Sequence, residues 1–147
     1  MPRSLKIRKS AAKQPLLIRT MTVSGFSARM GINASQPRGV PPSLEMSTSL
    51  ELRGTLDEPV RGVVDVEIHL GPEDHPGFGE ARPAAIGAIV GMRPNMSIWL
   101  RWPPREFDRL WAMTLGGALK FVRLAITTPK HNSGLVTSAY FSSEADE

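Results

Sequence analysis

The densest run of side chains able to do chemistry is DVEIHLGPEDH, residues 65–75. Asp65, Glu67 and His69 recur at every second position, and Glu73, Asp74 and His75 follow. Imidazole nitrogens and carboxylate oxygens are ligands for zinc, manganese or iron, so Glu67, His69, Asp74 and His75 form a candidate metal set. His69 beside Glu67 also has the residue types of a general acid/base pair. The run lacks the paired His-x-His of many metal sites, and charges at alternate positions are what any solvated strand face carries. Gly-x-Ser-x-Gly, His-Glu-x-x-His and a glycine loop ending in Lys-Ser or Lys-Thr do not occur in the chain. No catalytic residue is assigned, and no cofactor is implied.

A second set of residues has the chemistry of contact. In SIWLRWPPREF, residues 97–107, Trp99 and Trp102 lie three apart and must point to opposite faces of a strand. Trp102 shares its face with Met96, Ile98 and Leu100 and is expected in the core. Trp99 falls with Ser97 and Arg101. An indole beside an arginine on a sheet surface suits a protein hot spot or a sugar-stacking platform; if the helix or the N-terminal segment covers that face, Trp99 is ordinary packing. Phe78, between two glycines in PGFGE, is a candidate contact at the middle of a long loop.

Charge is divided along the chain. Residues 1–44 hold eight Lys and Arg with no Asp or Glu, and residues 45–147 hold ten basic and fourteen acidic residues, so the net +4 splits into +8 and −4. Arg3, Lys6, Arg8, Lys9 and Lys13 form a basic tail able to meet nucleic acid or an acidic surface through residues 1–38, or to stay solvated. The start is acid-poor like an organelle targeting segment but lacks a long amphipathic stripe. Phe26 is the only aromatic residue within the basic block, which disfavours single-strand recognition by base stacking.

The elements that must position these residues follow from periodicity. MSTSLELR (46–53) and VVDVEIHL (63–70) alternate strictly and read as half-buried strands, joined by a longer loop over 54–62. Residues 84–92 and 95–102 suggest a second hairpin. Pro103 and Pro104, acidic Glu106 and Asp108, a stripe of Phe107, Leu110, Trp111 and Leu115, and Gly116–Gly117 outline a helix over 104–115. Residues 118–127 and 134–141 return as strands. Residues 15–23 are a possible edge strand, whereas 24–43, rich in Gly, Ser, Asn and Pro without sustained period, read as a connector.

The expected organisation is a basic segment and connector over 1–43 and one compact β-rich domain over 44–147. The expected fold is mainly β, an antiparallel sandwich-like domain of six or seven strands with one short helix, or alternatively an α+β sheet with a helical crossover. A cysteine-free chain with no long apolar run points to a soluble, cytoplasmic protein. The function expected is non-enzymatic binding, most readily of another protein, with a homo-oligomer compatible. The alternatives are a metal-dependent module or enzyme centred on Glu67, His69 and His75, and a nucleic-acid-associated protein acting through its tail.

Overall fold

The computed structural model describes residues 15–35, 38–39, 41–73 and 85–144. Seven strands and one helix follow in the order β1 (Leu16–Ser35), β2 (Ser43–Val60), β3 (Val63–Pro72), β4 (Gly87–Gly91), β5 (Met96–Trp102), α1 (Pro104–Leu115), β6 (Phe121–Thr127) and β7 (Gly134–Ser142). The sheet closes on itself as a barrel in the order β1-β2-β3-β5-β4-β7-β6. The content is mainly β with one helix, as expected, but the sheet is a closed barrel rather than a sandwich. All neighbours are antiparallel except β3 and β5, which run parallel. No helix among the described residues is long and apolar enough to cross a membrane.

Closure depends on a strand read from sequence as an edge and a connector. Leu16–Thr22 pairs with Phe121–Thr127 on one side, while Met21 through Ser35 pairs with Ser43–Leu56 on the other. A register shift between Val23 and Gly25 marks a bulge at Ser24. Before the bulge the odd positions Met21 and Val23 turn inward; after it the even positions Phe26 and Ala28 oppose inward-facing Leu52 and Leu50. One extra residue therefore switches the parity of the strand, and this switch hides its periodicity in the sequence.

The barrel interior is filled by Met21, Leu50, Leu52, Val66, Ile68, Met96, Ile98, Leu100, Leu124, Ile126 and Val136, all buried in one apolar cluster. Side chains, not a ligand chamber, occupy a barrel of this size. The 54–62 segment is not a loop: β2 runs on to Val60, and the turn is Arg61–Gly62, both with positive φ (51° and 81°), as a two-residue hairpin turn requires. Arg61 Nη1 donates to the carbonyls of Pro129 (3.1 Å) and His131 (3.0 Å), fastening this turn to the β6–β7 connection.

Helix α1 has the boundaries its sequence signals set, with proline at its first position. At its end the Gly117 N–H donates to the Thr114 carbonyl and the Ala118 N–H to the Met113 carbonyl, both at 3.0 Å, and Gly117 takes φ 76°. This is the Schellman arrangement that satisfies otherwise orphaned carbonyls. Phe107, Leu110 and Thr114 are its buried residues; Trp111 is partly buried against the cluster, and Leu115 is exposed, contrary to its place in the expected stripe. The buried Thr114 hydroxyl is satisfied by donating to the Leu110 carbonyl at 2.8 Å. The helix follows β5 and returns the chain to β1, where the Val23 N–H donates to the Lys120 carbonyl at 2.8 Å.

Gly54 sits opposite Val23 beside the bulge, and a Cβ there would collide with the Thr22 carbonyl and the Met21 side chain. Because the obstacle is backbone, Gly54→Ala is expected to destabilise the barrel by about 1–3 kcal/mol. Gly31→Ala, where a Cβ meets only Ser47 Oγ at 3.4 Å, serves as the control. Thermal melts of the two variants check this, and equal melting temperatures would contradict the packing described.

Candidate functional site

Strand alternation puts Ile98 and Leu100 inside the barrel and therefore turns Trp99 and Arg101 outward. Trp99 is 59% exposed. Helix α1 buries Phe107 and Leu110 in the core cluster and leaves the outer face of β5 open at Trp99. Trp102, on the inward side, is partly buried and meets Phe141 edge-on with ring centroids 5.3 Å apart. The two indoles thus part company as the alternation requires.

Registers across five strands place Glu51, His69, Trp99, Ala88 and Leu135 in one row over the outer surface. One half of this band is ionic. Glu51 stands opposite His69 and Arg53 opposite Glu67. His69 Nε2 lies 3.7 Å from Glu67 Oε2, and Arg53 Nη1 lies 3.7 Å from Glu51 Oε1. Arg53 Nη1 also donates to Ser27 Oγ at 3.0 Å, so its guanidinium is held on the strand surface. Ligating atoms of Glu51, Glu67 and His69 all fall within 4.8 Å of one another, on half-buried side chains.

The other half of the band is apolar. Trp99, Ala88, Val90, Ile86 and Ala85 line a groove of about 380 Å³, with Arg101 also in its lining. Val90 and Leu135 are exposed beside it. Gly87 forms part of its floor, and a Cβ there would run into the Trp99 carbonyl and Leu100. At the rim Arg101 Nε pairs with Glu73 at 3.2 Å. The seam between the halves is the contact of His69 with Trp99, their rings 5.5 Å apart and tilted by 35°.

The structure therefore brings together Trp99, Arg101, Glu67 and His69 from the candidate residues. Asp74, His75 and Phe78, and the basic residues Arg3, Lys6, Arg8, Lys9 and Lys13, lie outside the described residues. Glu51 joins the metal-type cluster through strand pairing. The sequence does not mark Ala88 and Val90 as site residues, because AAIGAIVGM is apolar on both faces and carries no sign of which face is outward; Leu135 joins them only through the pairing of β7 with β4. Comparison with protein-family models, curated proteins and solved structures finds no match to the chain.

The geometry separates two neighbouring residues. Ile98→Ala should cost about 2–5 kcal/mol of stability, as a cavity in a closed core does. Trp99→Ala, which removes a mostly solvated side chain, should cost at most about 1 kcal/mol. Denaturant unfolding of both variants measures the difference; a Trp99→Ala cost equal to that of Ile98→Ala would show the indole to be structural.

Proposed function

We propose that this protein is a non-enzymatic binding module that docks a partner protein on the outer barrel face around Trp99. The observation that carries the reading is an indole left mostly exposed in an apolar groove on a rigid strand. Tryptophan held on a scaffold supplies a large contact area while losing little side-chain entropy on binding, which is why it is enriched among interface hot spots. The groove beside it suits an aliphatic side chain, since Ala85, Ile86, Ala88 and Val90 offer apolar walls. A sugar would need several directed polar partners, and among the groove's described lining residues only Arg101 and Trp99, through its indole N–H, carry hydrogen-bonding side-chain groups, both donors. The Arg101–Glu73 pair and His69 supply a polar rim around the apolar centre.

A photo-crosslinking residue in place of Val90, introduced into the full chain in its native cells, tests the docking face. A discrete adduct with one other protein, lost when Trp99→Ala is added, is expected. Absence of a protein adduct, or an adduct indifferent to Trp99→Ala, rejects the reading.

A second reading draws on the cluster of Glu51, Glu67 and His69, whose ligating atoms are close enough to converge on one divalent cation. It differs from the sequence-based set in recruiting Glu51 from the paired strand. The Arg53 guanidinium beside Glu51 opposes a cation there. If the cluster binds metal, zinc titration of the purified full chain should show saturable binding that His69→Ala and Glu51→Gln each abolish, with zinc raising the melting temperature of the parent protein alone. No binding heat would dismiss it.

A further inference from the structure

Strands β1 and β2 are longer than the barrel they close. Pairing of β1 with β6 covers Leu16–Thr22, and the pairing of β2 with β3 reaches no earlier than Leu50. From Arg29 opposite Ser49 out to Ser35 opposite Ser43, the two strands pair only with each other among the described residues. They form a two-stranded ribbon extending about 24 Å beyond the barrel mouth.

The ribbon has two unlike faces. Arg29, Asn33, Ser47 and Ser49 occupy one. The other continues the inward face of the barrel with Met30, Ile32, Leu44 and Met46, together with Ala34 and Thr48. In the barrel this face is core; on the ribbon the four large side chains are exposed by 66%, 67%, 76% and 70% respectively. An isolated two-stranded ribbon is at best marginally stable in water, and an apolar face of this kind calls for a cover.

We propose that the cover is the same ribbon face of a second copy of this chain, in a two-fold dimer whose arms pack as a small four-stranded sandwich. The face bears no ionisable side chain, so it can oppose itself without bringing like charges together, as an isologous contact demands. Its exposed apolar surface is roughly 500 Å² per copy, about 1,000 Å² for the pair when fully covered, at the lower bound for a specific interface. Two such sheets packing at about 10 Å would interdigitate Met and Ile side chains as the inner faces of a sandwich do.

Segments of the same chain are poorer covers. Residues 1–14 join β1 at its far end, about 50 Å along the strand from Met30, which is all that fourteen extended residues can span. Residues 74–84 bring Phe78 as their single large apolar side chain against four on the ribbon.

Sedimentation of the full chain over a wide concentration range tests the proposal. A monomer–dimer equilibrium is expected, weakened at least about tenfold by Ile32→Asp and unaffected by Trp99→Ala, which separates this face from the partner groove. Unchanged near-ultraviolet circular dichroism and melting of Ile32→Asp would show that its barrel persists. Because the chain has no cysteine, Ile32→Cys and Asn33→Cys each introduce one thiol. The former should oxidise to a covalent dimer and the latter, on the opposite face, should not. A parent protein that is monomeric at every concentration overturns the proposal, whatever then covers the ribbon; so does a dimer that survives Ile32→Asp or dissociates on Trp99→Ala.

Discussion

An open sheet leaves two rows of unpaired backbone groups, and within the barrel both rows are removed by one event, the docking of Leu16–Thr22 against Phe121–Thr127. The first strand meets the sixth only after the whole intervening chain has been laid down. Every later feature of the molecule depends on that pairing. It defines an inside and an outside, and once Ile98 and Leu100 are committed to the inside, Trp99 has nowhere to go but out. It also fixes where the barrel ends along β1, and so how much of β1 and β2 is left over as a ribbon.

Much of this was legible in the alternation of apolar and polar residues. The 46–53 and 63–70 patterns lie within β2 and β3, the pairing of Glu51 and Arg53 with the acidic face of β3 was readable from them, and the proline pair and glycine pair bounded α1 at Pro104 and Leu115. The features that the alternation does not reveal are hidden for physical reasons. The bulge at Ser24 changes the inward set from odd to even positions, so a period-two pattern sought across residues 15–35 cancels itself. Arg19 adds to the confusion: it lies on the odd-numbered face of β1, with its guanidinium placed 3.8 Å from Glu58 and donating to the Ile18 carbonyl. The turn chemistry of Arg61–Gly62 was concealed by Asp57, Glu58 and Pro59, which resemble a loop but belong to an irregular stretch of β2.

The candidate site was half legible. Trp99 and Arg101 followed from side-chain alternation, but whether anything covered them depended on where α1 packs, a long-range outcome that local pattern does not encode. The apolar partners of Trp99 come from β4 and β7, brought beside β5 by a strand order in which β3 neighbours β5 rather than β4. That order places His69 on one side of the indole and Ala88 on the other. The ionic and apolar halves of the band are thus a product of topology.

The Arg61 guanidinium, bonded to the carbonyls of Pro129 and His131, ties two hairpin tips together at the end of the barrel away from the ribbon. All the short turns lie at that pole, whereas the ribbon, the 73–86 connection and the helix all leave from the other. The molecule is therefore polarised in its construction as well as its chemistry: one pole is latched by short turns, and the longer connections leave from the opposite pole. Val60 and Val63, buried and paired with each other beside the Arg61–Gly62 turn, carry the core out to that latched end.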